Sequence, residues 1–145
     1  EIRPRDWSSD VCSSDLASTA DTFKAALYLA SATVNASTTA YSSTGEVTGT
    51  GYTAGGVTVT NATPPASTNT SSTAGTAYWT PSASITYTSV TLTTAFDAVL
   101  IYNSTQSNKA VSVHTFGSQT VTAGTFTLTM PSNTTSTALL RLATT

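Results

Sequence analysis

Alternation of apolar and polar residues with a period of two recurs along nearly the whole chain. It restricts the fold to β-structure, because successive side chains of a strand point to opposite faces. The residue filling the polar positions is most often Thr, which occurs 34 times in 145 residues beside 21 Ser, while charged residues make up only 8%. Thr is β-branched and suits a pleated, half-buried surface, so strands with a neutral polar exterior are expected. Residues 22–29 put Phe23, Ala25, Leu27 and Leu29 on one face, with Lys24 and Tyr28 on the other. This predicts a strand, with a short helix as the competing reading because Lys-Ala-Ala-Leu is a good helix former. Residues 84–92 alternate Ile85, Tyr87 and Ser89 against Thr86, Thr88 and Val90.

Further strands are predicted at residues 46–50, 57–62, 76–80, 95–102, 110–116, 125–130 and 138–142, with a polar loop over 31–44 and a turn bracketed by Gly117 and Gly124. Segments at this spacing predict an all-β fold, a single antiparallel β-sandwich of about seven to eight strands and of jelly-roll or immunoglobulin-like type, spanning residues 17–145.

Residues 1–16 stand apart. Asp6 to Leu16 resemble the translation of a common short-read library adapter, and Glu1 to Arg5 are compatible with its flanking bases. They are expected to be a non-native segment and not a domain, with the natural N-terminus missing and an assembled environmental read set as the source. With them set aside, Asp21, Glu46 and Asp97 balance Lys24, Lys109 and Arg141, and the net charge of −2 disappears. Nucleic acid or an anionic membrane surface would call for clustered Lys and Arg, so neither is an expected partner. No apolar run reaches the length of a membrane-spanning helix. The one cysteine, Cys12, falls in the set-aside segment, so the sequence offers no disulfide framework or thiolate metal site.

Candidate chemistry is sparse. Residues Gly49 to Ala54 match the letters of the dinucleotide fingerprint, but that motif works by opening a helix toward the pyrophosphate, and here Gly55, Gly56 and a Val/Thr strand come next. A turn with close backbone approach is expected instead. His114 lacks the companions of a nucleophilic triad, and Glu46 with Asp97 is a thin basis for a calcium site. No catalytic, cofactor or metal residues are therefore expected. Five glycosylation sequons, at Asn35, Asn61, Asn69, Asn103 and Asn133, arise readily in so Thr-rich a chain. Seven aromatics, Tyr28, Tyr41, Tyr52, Tyr78, Trp79, Tyr87 and Tyr102, offer a candidate sugar-stacking platform.

Three segments together resemble a family of small tailed-bacteriophage virion proteins. Residues 21–28 (DTFKAALY) are similar to its opening strand and residues 46–56 (EVTGTGYTAGG) to its Gly/Tyr-rich segment. Val99 to Ser104 with Lys109 to Val111 and Phe116-Gly117 are similar to its late hairpin. The resemblance departs from the family's pattern midway, where Trp79 and Ile85 approximate a Trp-strand segment with different spacing.

The resemblance implies a structural protein located in the virion, on head, neck or tail, and not an enzyme. It would need no cofactor, and its partners would be other virion proteins or copies of itself. The polar hairpin tip, Asn103, Ser104, Thr105, Gln106, Ser107 and Asn108, is the candidate interaction loop, since such loops often meet partners. The alternative is an adhesin module binding a host-surface glycan.

Overall fold

A computed structural model describes residues 21–61, 65–70 and 73–143. The expectation for residues 1–16 lies outside them. The protein is all-β, with seven strands in two antiparallel sheets and no helix among the described residues. In chain order the strands are β1 (Phe23–Leu29), β2 (Val57–Thr58), β3 (Ala66–Ser67), β4 (Thr76–Trp79), β5 (Ile85–Asn103), β6 (Lys109–Leu128) and β7 (Leu140–Ala143). The described residues divide into two compact units, one built from residues 22–59 and 85–128, the other containing residues 60–61, 65–70, 73–84 and 129–143.

The first unit holds a four-stranded sheet in the order β2-β1-β5-β6. β1 is central and buries both of its faces. Phe23, Ala25 and Leu27 are buried as their alternation predicts, but so are Ala26 and Tyr28 on the face that was expected to be polar. Ala26 and Tyr28 pack with Ala98, Leu100 and Tyr102 of β5, and Ala32, Val34, Tyr41, Ala110 and Val113 close over them. The 31–44 loop therefore supplies part of the cover for this face.

β5 and β6 are far longer than expected. The predicted strands 84–92 and 95–102 are one 19-residue strand, and 110–116 and 125–130 are one of 20 residues. Gly117 and Gly124 lie inside β6 and bracket no turn. The hairpin keeps its register by bulging: the pairing shifts between Tyr87 and Val90, between Leu92 and Phe96, and at three further steps. Ser89 sits in one of these bulges with φ of 53°. An extra residue exchanges the two faces of everything after it. Ile85 and Tyr87 are thus followed on the buried side by Val90 and Leu92, while Ser89 is exposed, the reverse of the simple alternation.

Near the tip end of the hairpin Ile101 is 1% exposed. Ile101→Ala is expected to cost about 2–4 kcal/mol through lost burial and the cavity left behind. Urea unfolding followed by tyrosine and tryptophan fluorescence measures it.

The second unit holds a three-stranded sheet in the order β3-β4-β7. Trp79 is its buried anchor, and its indole N–H donates to Asn61 Oδ1 at 2.8 Å. The buried Thr80 side chain accepts the Leu139 N–H at 2.9 Å, tying the segment before β7 to the end of β4.

Candidate functional site

The densest polar cluster in the first unit is built around Glu46. Residues 46–50, predicted as a strand, form only isolated bridges, Tyr28 to Glu46 and Thr50 to Thr91. The reason is visible at the side chain: Glu46 turns inward, is 7% exposed, and its carboxylate accepts three hydrogen bonds. Tyr41 donates to Oε2 at 2.6 Å, while Tyr52 at 2.8 Å and the Gly55 N–H at 2.7 Å donate to Oε1. The Tyr52 hydroxyl in turn accepts the Leu27 N–H at 3.0 Å, which joins the loop to β1. Tyr102 donates to the Gly55 carbonyl at 2.9 Å and Tyr87 to the Ala25 carbonyl at 2.8 Å. Tyr41 stacks on Tyr102 with ring centroids 4.7 Å apart.

Chemically this is a clamp. A cation site needs converging acceptors, but the groups around Glu46 are hydrogen-bond donors that already occupy its oxygens. Burial, followed by the hydrogen bond to Glu46, pushes the Tyr41 and Tyr52 hydroxyls far above their ordinary range, so both stay protonated donors. Asp97, the other acidic residue of the calcium expectation, is half-buried on β5, and the described residues contain no cluster of three or more potential metal ligands.

The Gly-rich segment behaves as a turn with close backbone approach. Gly51 has φ of 79°, and a Cβ there would lie 2.3 Å from the Ser89 carbonyl oxygen at the β5 bulge. Gly56 has φ of 72°, and a Cβ would come within 1.7 Å of the Ala25 carbonyl oxygen. The next element is β2, paired with β1, where a dinucleotide site would need a helix. The seven aromatics form no exposed platform: Tyr28, Trp79, Tyr87 and Tyr102 are buried, and Tyr41, Tyr52 and Tyr78 half-buried.

The hairpin tip is less free than its composition suggests. Asn103 is buried, and its Oδ1 accepts the N–H groups of Thr105 and Gln106. Ser104 donates to the Thr22 carbonyl from both its N–H and its hydroxyl, each at 2.8 Å, and Thr105 Oγ1 accepts the Thr22 N–H. Ser104 and Thr105 thereby fasten the segment that leads into β1, and Asn103 braces the tip. Ser107 and Asn108 are exposed, with φ of 53° and 57°. The Asn108 carbonyl accepts the Tyr41 N–H at 2.9 Å.

His114 is half-buried on β6, with Nε2 3.0 Å from Ser112 Oγ. Desolvation lowers its pKa below the ordinary 6.5. In the window beneath that value the unfolded chain binds the proton more readily than the folded one, so His114's contribution to stability is complete above it and lost on acidification. Thermal melts between about pH 5 and 8 are expected to show His114→Gln losing less stability at the acid end than the wild type.

Beside His114 lies a cleft of about 550 Å³ between Val34, Asn35, Ala36 and Thr38 of the loop and residues 110–113 and Thr115 of β6. In the second unit a smaller hollow of about 190 Å³ is lined by Pro65, Trp79, Leu140 and Leu142, the last 72% exposed. Neither was legible in the sequence, since each joins residues far apart in the chain. Compared with known proteins, the chain matches no family model, no curated protein and no solved structure.

Proposed function

We propose that this protein is a structural component of a tailed-phage virion, on head, neck or tail, acting by assembly with copies of itself or with other virion proteins and not by catalysis. The observation that carries the reading is where the three phage-like segments lie. Residues 21–28 contain most of β1, residues 46–56 form the clamp beside it, and residues 99–117 form the tip end of the β5–β6 hairpin. The resemblance is therefore concentrated in one sheet and the loop fastened to it, as expected when a family shares a scaffold. Supporting it, the Glu46 carboxylate serves the scaffold directly. The exposed positions of β5 and β6 are mostly Thr, a neutral surface suited to lying against other protein.

An adhesin reading requires aromatic rings exposed at loop tips, whereas the described Trp and Tyr rings are buried or half-buried. Mass spectrometry of gradient-purified tailed particles from a lysate carrying the gene is the test. Peptides from residues 25–109 should co-band with the particles at the level of other structural proteins. Their confinement to the soluble or host-cell fraction would overturn the proposal.

A further inference from the structure

β6 is an edge strand, and part of that edge is unpaired. Within the unbroken register of β1 against β5, the carbonyls of Phe23 and Leu27 accept the N–H groups of Val59 and Val47, so both residues direct their backbone away from β5. By alternation Lys24, Ala26 and Tyr28 bond Tyr102, Leu100 and Ala98, leaving Val99 and Ile101 to bond His114 and Ser112 of β6. The remaining pairs, Leu100 with Val113 and Ala98 with Thr115, do not exchange hydrogen bonds, so Val113 and Thr115 point their N–H and C=O groups outward. Among the described residues no backbone group meets them. Toward the hairpin tip the same edge is covered, because Ala110 donates to the Thr39 carbonyl and Ala40 bridges Lys109. In the other direction the register shifts between Thr115 and Gln119.

We propose that this open window, Ser112 to Phe116, is a self-association site that takes the same window of a second copy in antiparallel, two-fold related β-pairing. In the register centred on His114, Val113 of each copy pairs with Thr115 of the other, and the four outward N–H groups and four outward carbonyls are all satisfied. Three observations favour a second copy over an unrelated strand. From Ala110 to Leu128 the strand has no Asp, Glu, Lys, Arg or Pro, the usual devices that keep identical edges apart. Burial disfavours the charged form of His114, so its two copies can lie side by side.

The window is also short on both strands by construction. The bulge after Thr115 lies where the partner strand would otherwise meet segment 39–41 of the first copy. Val111, Val113 and Thr115 line the cleft, so the partner's Val113 and Thr115 side chains would join its floor. The inference names the partner in the assembly reading and rests on that reading only for its biological setting. It is read on purified protein, so absence from particles and failure to self-pair are separate results.

Sedimentation equilibrium of the purified full chain should show a reversible monomer–dimer equilibrium. Thr115→Pro removes one outward N–H per copy without touching the β5 ladder, and should weaken that equilibrium by about tenfold or more. With Cys12 changed to Ser, His114→Cys should form a disulfide dimer under mild oxidation, since directly opposed non-hydrogen-bonded residues have Cα atoms about 4.5 Å apart, within disulfide reach. Thr127→Cys, exposed near the end of β6, is the control and should cross-link poorly. A chain that stays monomeric, a dimer indifferent to Thr115→Pro, or equal cross-linking at 114 and 127 would overturn the proposal. The cysteine pair decides the matter if the proline variant fails to fold.

Discussion

Glu46→Ala is expected to lower the unfolding free energy by about 3–5 kcal/mol, because it leaves buried donors without their shared charged acceptor. Tyr41, Tyr52 and the Gly55 N–H all lose a partner at once, and the Tyr52 hydroxyl that accepts from Leu27 loses its anchor. Glu46→Gln keeps the shape and one acceptor oxygen, so its cost should be smaller, about 1–3 kcal/mol. Urea denaturation of both variants against wild type measures the pair. A loss under about 1 kcal/mol for the Ala variant would mean that water replaces the carboxylate at little cost, and the clamp would not be a major source of stability.

The second large effect is expected at Gly56. Its φ of 72° already strains any L-side chain, and a Cβ would sit 1.7 Å from the Ala25 carbonyl oxygen, which is backbone and cannot rotate aside. Either β1 or the loop must move. That would disturb the neighbouring Tyr87 bond to the same Ala25 carbonyl and the Tyr102 bond to Gly55. We expect Gly56→Ala to cost about 3 kcal/mol or more, as strain and lost contacts add. Gly117→Ala is the matched control: a Cβ there meets nothing within 4 Å. Its effect should stay within about 0.5 kcal/mol, the scale of an unencumbered surface change. Thermal melts of the two variants side by side separate backbone collision from the general effect of adding a methyl group.

How far the sequence reveals this fold depends on whether the informative contacts are local. Period-two alternation locates β1, and an apolar run followed by a polar tip locates the end of the β5–β6 hairpin, because each of these signals is carried by its own segment. It fails at Ser89, where one bulged residue exchanges the faces. It also fails at Gly117 and Gly124, which signal a turn locally but remain in β6 because the register shifts with the opposite strand absorb the irregularity.

The Glu46 clamp had a legible clue, a lone carboxylate in a Tyr- and Gly-rich stretch with no nearby cation. Its partners Tyr41 and Tyr52 are five and six residues away, too far along a strand to touch and off the i+3 and i+4 contact spacings of a helix. The tip illustrates the opposite error: Asn103, Ser104 and Thr105 look like free polar loop residues, yet their bonds to the loop and to Thr22 make them fasteners. The cleft beside β6 was beyond reach, since it appears only once segment 34–38 is folded against a strand some 75 residues later.

The tyrosines around Glu46 also make the protein its own optical reporter in alkali. Burial, as the leading cause, raises the hydroxyls of Tyr41, Tyr52 and Tyr87 well above their ordinary value of 10.0. The unfolded chain releases those protons near that value while the folded chain keeps them, so stability is complete below it and declines as pH rises beyond it. For these three rings, the near-ultraviolet absorption of phenolate should therefore appear in step with loss of structure. A spectrophotometric titration run together with circular dichroism should show the two signals moving as one cooperative transition. Early, non-cooperative ionisation of all the tyrosines would mean that the clamp opens to solvent while the sheet remains intact.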